Sequence, residues 1–250
     1  MTRSTTDPAR GHIWGLSLLA LTLALAVSAL AACSQEPKLH GWPITPTPAA
    51  DFALTSHTGQ TVRVSDYKGD LVVVTFGYTN CTTACPLIAL GMKQAQDKLM
   101  PSEASRVHFL VVSVDPERDT TEKAASFIRE RPSPQGMLFL TGSRPDLETV
   151  WRAYKVETRQ VMWTPTPPAP ESATPAPMEG MKSSEGGMKM AGGETATPNP
   201  HEGHVGYIVE HTVLAYLVDK QGTIRSAHVI DSGFTPDDMV KDMRALLATK

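Results

Sequence analysis

The apolar positions of this chain fall into two spacings, and their alternation outlines a fold. Leu71–Phe76 (LVVVTF) and Arg106–Val114 (RVHFLVVSV) are continuous and rich in β-branched residues, which predicts central strands buried on both faces. Met137–Leu140 predicts a third, shorter strand. Within Phe52–Val64, two short runs flank His57-Thr58-Gly59-Gln60 and predict a hairpin. Thr212–Val218 and Thr223–Ile230 read as strands joined by the turn Asp219-Lys220-Gln221-Gly222.

Helical spacing fills the intervals. After Pro86, the apolar positions Ile88, Met92, Ala95 and Leu99 share one face. A second helix takes Asp119 as its N-cap, with Glu122 three residues on and Phe127 and Ile128 inward. Ser143 caps a third, which carries Leu147, Val150, Trp151 and Tyr154 on one stripe. The last has Thr235 at the N-cap, Pro236 at the first helical position, and Phe234 placed to staple against Met239. Met243, Leu246 and Leu247 extend its apolar face. The order βαβαβα followed by ββα predicts an α/β domain of thioredoxin-like type, a mixed sheet flanked by helices.

Three stretches depart from this pattern. Arg3 and Arg10 precede an uncharged run from Ile13 to Ala32 that ends at Cys33, the layout of an export signal. Leu30-Ala31-Ala32-Cys33 resembles a bacterial lipobox, so residues 1–33 are expected to be a lipoprotein signal with Cys33 as the lipidated residue. The other reading is an uncleaved anchor, since about 20 apolar residues can span a bilayer. Both place the folded part in the bacterial cell envelope, extracytoplasmic and held to a membrane. Residues 34–50, with Pro37, Pro43, Pro46 and Pro48, read as a stiff spacer leading to a domain over 51–250. Residues 164–204 have no aromatic residue and no apolar period, so they are expected to be a disordered insertion in a loop.

Charge narrows the partners only slightly. A net charge of −3 argues against a nucleic-acid binder, which would carry a basic face. The cysteines say more. With Cys33 assigned to lipid, the remaining two are Cys81 and Cys85, in Phe76-Gly77-Tyr78-Thr79-Asn80-Cys81-Thr82-Thr83-Ala84-Cys85-Pro86. A single pair is no disulfide scaffold. With Pro86 as the first helical residue, Cys85 falls at the N-cap, where unpaired N–H groups favour a thiolate. The thiolate is both nucleophile and metal ligand, and three intervening residues leave a bite suited to spanning a metal.

Three blocks in order, FGYTNCTTACP at 76–86, VVSVDPERDT at 111–120 and HTVLAYLVDKQGTI at 211–224, resemble the signature blocks of Sco/SenC proteins. These are membrane-tethered copper chaperones that help assemble the dinuclear copper centre of cytochrome c oxidase. The resemblance spans Phe52 to the C-terminus apart from the insertion. It implies copper, as Cu(I) or Cu(II), held by Cys81, Cys85 and His211, a copper-acceptor partner that is an oxidase subunit, and no catalytic residues. Many relatives carry Pro-Asp between the cysteines, where this chain has Thr82-Thr83-Ala84. The chemistry agrees: two thiolates suit soft Cu(I), and an imidazole lets the site accept Cu(II). His57, His108 and His228 receive no role.

The alternative function is a thiol-disulfide oxidoreductase that uses Cys81 and Cys85 to reduce the cysteines of a copper-acceptor protein. The insertion supplies a further expectation. Its polar background holds Met178, Met181, Met188 and Met190, then His201 and His204. Thioethers are soft Cu(I) ligands that need no deprotonation, so this segment is expected to capture copper and pass it to Cys81, Cys85 and His211.

Overall fold

The structure, a computed structural model, describes residues 36–162, 206–230 and 234–249. The body begins at Leu39. In chain order the strands are β1 (Trp42–Pro48), β2 (Leu54–Ser56), β3 (Thr61–Val62), β4 (Leu71–Gly77), β5 (Val107–Ser113), β6 (Leu138–Thr141), β7 (Thr158–Met162), β8 (Tyr207–His211), β9 (Ala215–Val218) and β10 (Thr223–His228). The helices are α1 (Ala84–Asp97), a short α2 (Pro101–Ala104), α3 (Thr121–Glu130), α4 (Arg144–Ala153) and α5 (Pro236–Ala248).

Eight of these strands form one mixed sheet in the order β1-β10-β9-β4-β5-β6-β2-β3. Strands β4, β5 and β6 run parallel, while β9 and β10 return antiparallel. Every residue of β4 is buried, as its unbroken apolar run requires of a strand with helices on both faces. Phe76, Phe109, Phe139, Leu217 and Met243 lie among the largest fully buried side chains. This is the α/β, thioredoxin-like arrangement that the order of elements predicts, with the Cys81–Cys85 turn leaving the C-terminal end of β4.

Several expectations need correction. From Trp42 to Pro48, the stretch read as a spacer is an edge strand, paired antiparallel with β10. Proline's fixed φ is compatible with extended backbone, and an edge strand tolerates missing donors. Helix α1 starts at Ala84 with Thr83 at its N-cap, so Cys85 lies inside the first turn. Helix α3 is capped by Thr120, whose hydroxyl accepts from Lys123 N–H at 3.3 Å. Asp119 is buried and serves elsewhere. The strand read from Thr212 begins only at Ala215 as β9, and His211 closes the separate strand β8.

The sequence pattern also left β7 undetected. Its partner is β8, with Met162 opposite Tyr207 and Thr158 opposite His211. The insertion therefore leaves and re-enters the fold at adjoining ends of one hairpin. Residues 164–204 themselves, and the lipobox at Cys33, lie outside the described residues. No helix among the described residues is long and apolar enough to cross a membrane.

Candidate metal centre

Gly77, the last residue of β4, is where the site begins. A Cβ there would stand 3.2 Å from Cys85 Sγ, so a side chain at the strand end would crowd the sulfur that lies against it. Tyr78, Thr79 and Asn80 carry the chain into a turn closed by Cys81 N–H donating to the Tyr78 carbonyl at 3.2 Å. The first turn of α1 then brings Cys85 back over Cys81, and Cys85 N–H donates to Cys81 Sγ at 3.2 Å. Both cysteines are buried and unbonded to each other.

Their environments push them apart. Cys81 receives a hydrogen bond from the Cys85 thiol, and the N–H groups of Cys85, Thr83 and Ala84 point at it. Burial opposes this, yet the donors win and hold Cys81 down at about 5. Cys85 is pushed well up, first because its proton is shared with Cys81, then by burial and by the Cys81 charge. One thiolate and one thiol therefore coexist at neutral pH. The helix N-terminus does favour a thiolate as the sequence suggests, but at Cys81 rather than Cys85.

Tyr78 turns this pair towards the hairpin. Burial raises its hydroxyl, which donates to Cys81 and accepts from the backbone N–H of Val209 in β8. Its ring meets His211 edge-on, centroids 6.1 Å apart. His211 Nδ1–H donates to the Thr212 carbonyl at 3.0 Å, which fixes the tautomer and leaves Nε2 as a lone-pair donor. Burial pushes His211 below its ordinary value, although the Thr212 carbonyl and the Cys81 charge pull the other way. The ring is thus neutral, the form that binds a metal. Among the described residues, no three His, Cys, Asp or Glu side chains stand close enough together to enclose a metal ion. His211 is linked to the cysteine turn through the Tyr78 ring, and the Cys81 charge reaches it.

Behind the turn is a buried carboxylate that the sequence pattern misassigned. Asp119 Oδ1 accepts from Thr79 N–H at 2.9 Å and from Thr79 Oγ1 at 2.7 Å, while Oδ2 accepts from Ser113 Oγ at 2.6 Å. Burial raises it to about 6, against the pull of the Ser113 and Thr79 hydrogen bonds. Asp115, Arg118 and Tyr207 were also unassigned. The visible signal was Asp115-Pro116-Glu117-Arg118-Asp119, four charges in five residues at the end of a buried strand. The three histidines given no role prove structural. His57 Nδ1 accepts from Phe139 N–H at 3.3 Å, His108 pairs with Asp70 at 3.0 Å, and His228 pairs with Asp242 at 3.1 Å.

Two sulfurs on one turn with a neutral imidazole beside them suit a soft or borderline metal. The SCO1/SenC family profile matches residues 45–171. This chain belongs to the SCO1/SenC family. Solved Sco structures include copper-bound ones, and the family is described as one of cytochrome c oxidase assembly proteins. The chain is 29% identical over 172 residues to the human mitochondrial SCO1 homolog, covering 68% of this chain and 44% of that one. It thus spans under half of that relative's length. Apo Sco1 from Thermus thermophilus is similar at 27% identity and TM-score 0.59, over 84% of this chain and 97% of that one. ScoI from Bradyrhizobium japonicum, solved with copper bound, shares the fold at 22% identity and TM-score 0.56, over 80% and 99%.

Proposed function

We propose that this protein is a copper metallochaperone, held to the outer side of a bacterial membrane by a lipid on Cys33, that hands copper to the dinuclear centre of cytochrome c oxidase. Copper is its cargo, held by Cys81, Cys85 and His211. The observation that carries this reading is the differently ionised cysteine pair on one turn, whose neighbour Tyr78 meets the ring of a neutral His211.

Cys81 is the first sulfur to engage, since it is already a thiolate at neutral pH. Cys85 follows by losing its proton, so metal uptake releases protons and strengthens with pH. His211 completes the set by an approach of the end of β8 towards the sulfurs. Cu(I) needs only the sulfurs, whereas Cu(II) draws on the imidazole. The lipoprotein signal, the envelope location and the oxidase-subunit partner rest on the lipobox-like tetrad and on family membership. The thioethers of Met178, Met181, Met188 and Met190, with His201 and His204, are proposed as an accessory capture site.

The same asymmetry supports the alternative, a thiol-disulfide oxidoreductase: a low-pKa cysteine to attack and a buried thiol to resolve. Competition titration of the reduced protein with Cu(I) and Cu(II), alongside a disulfide-reductase assay, separates the two. The chaperone reading expects one tightly bound copper, and His211→Ala to weaken Cu(II) at least a hundredfold. Reductase turnover that survives His211→Ala, in a protein that holds no copper, would establish the enzyme instead.

A further inference from the structure

The loop from Asp115 to Asp119 grips both halves of the candidate site with different residues. Asp119 holds the cysteine turn through the two hydrogen bonds from Thr79. Asp115 and Arg118 hold the hairpin. Tyr207, the first residue of β8, donates its hydroxyl to Asp115 Oδ1 at 2.7 Å. Arg118 donates through Nη1 to the Tyr207 carbonyl at 2.8 Å, and its guanidinium carbon stands 3.7 Å from the Tyr207 ring centroid. Arg118 Nε pairs with Asp115 Oδ2, which locks the two together.

Arg118 also faces the site itself. Its guanidinium carbon is 5.8 Å from the Tyr78 ring centroid, and that ring meets His211. Arg118 Nη2 is buried with no hydrogen-bond partner. The loop is itself anchored. Ser113 Oγ donates to Asp119 and accepts from Asp115 N–H, and Thr141 Oγ1 donates to the Asp119 carbonyl at 2.8 Å. At the opposite end of β8, Thr212 N–H donates to the Glu157 carbonyl at 3.2 Å. The His211 strand is therefore pinned at Tyr207 and tethered at Thr212, and its approach to the sulfurs is set by these two points.

We propose that Arg118 and Asp115 are positioning residues that clamp Tyr207 and thereby set the distance at which His211 meets Cys81 and Cys85, while Asp119 independently holds the cysteine turn. The clamp acts on the imidazole arm alone. Copper held by two sulfurs is indifferent to it, and copper that needs the ring is not.

The test uses the full chain carrying Arg118→Gln or Tyr207→Phe. Without metal, amide hydrogen exchange at Val209–Thr212 quickens about tenfold or more in Arg118→Gln, while β4 and α3 keep their wild-type rates. With metal, Cu(II) affinity falls by about 10–100-fold, the usual effect of losing a residue that orients a ligand, and Cu(I) affinity stays within about threefold. Tyr207→Phe removes one hydroxyl and shifts both readouts in the same direction by a smaller factor, which decides the matter if Arg118→Gln does not fold. Asp119→Asn quickens exchange at Thr79–Cys81 and leaves β8 unchanged. Unchanged exchange at β8, uniformly faster exchange over the whole fold, or equal loss of Cu(I) and Cu(II) overturns the proposal. The copper readout rests on the chaperone reading and the exchange readout does not. A wild-type protein that binds no copper therefore defeats that reading, and the metal-free measurement still decides the clamp.

Discussion

Cys85 Sγ occupies space that a side chain on Gly77 would contest, since a Cβ there comes to 3.2 Å of the sulfur and 3.6 Å of Val111 Cγ1. Fully buried and tied to Cys81, the sulfur has little room to retreat. Gly77→Ala is expected to cost about 1–3 kcal/mol of stability by overpacking and to weaken Cu(I) binding about tenfold. Denaturant unfolding and Cu(I) competition check the two effects. A variant with wild-type values for both would show that the sulfur is free to move.

The two cysteines should titrate far apart. In the reduced, metal-free protein, absorbance at 240 nm should report one thiolate forming with a midpoint near pH 5 and a second well above the ordinary thiol range. Because the folded value of Cys81 lies below that of an unfolded thiol, about 8.5, its stabilising contribution is fully present above the unfolded value. It is lost as pH falls through about 5. The reduced protein should therefore gain stability from this group between roughly pH 5 and 8.5. Cys85 acts with the opposite sign, and only at higher pH.

Asp242 pins β1 to the body. Its side chain is fully buried and accepts from His40 N–H at 2.7 Å, Gly41 N–H at 2.9 Å, His40 Nδ1 at 3.0 Å and His228 Nε2 at 3.1 Å. Burial pushes this carboxyl up, but the hydrogen bonds from His228, Gly41 and His40 outweigh it and hold it at about 2. A depressed acid stabilises above its unfolded value, near 3.9, and loses that contribution as pH falls through about 2. Acid should then release β1, visible as faster exchange at its amides. Asp242→Ala, which orphans several donors at once, is expected to cost about 3 kcal/mol or more.

Met162 and Tyr207 are paired across β7 and β8, so the segment between them closes a hairpin. Replacing residues 163–206 with Asn-Gly, a two-residue turn suited to that geometry, should keep the melting temperature within a few degrees. Cu(I) stoichiometry should fall by the copper that the Met and His residues capture, while one copper remains at the cysteines. Equal stoichiometry in both chains would remove the accessory site and leave the main one untouched.

Much of the fold was legible because its strands are extreme. An all-apolar β-branched run such as Leu71–Phe76 has one comfortable environment, the middle of a sheet. The caps at Ser143 and Thr235 were equally plain. Asp119 shows where local reading fails. An acid just ahead of a helix looks like a cap, and nothing nearby reveals that its partner is Thr79, forty positions earlier. β7 was hidden for a related reason: Thr158–Met162 is mostly exposed and polar, so only its pairing marks it as a strand. The three proposed ligands were named from the blocks that contain them. How Tyr78 joins them could not be, because it depends on Val209 arriving from beyond the insertion.

The outer margin of the sheet carries a consequence for crowding. β1 holds Pro43, Pro46 and Pro48, and the opposite margin is β3, two residues long. Neither offers a neighbouring molecule an unbroken row of donors to stitch onto. Copies at high concentration can thus stay separate rather than merge edge to edge into a continuous ribbon.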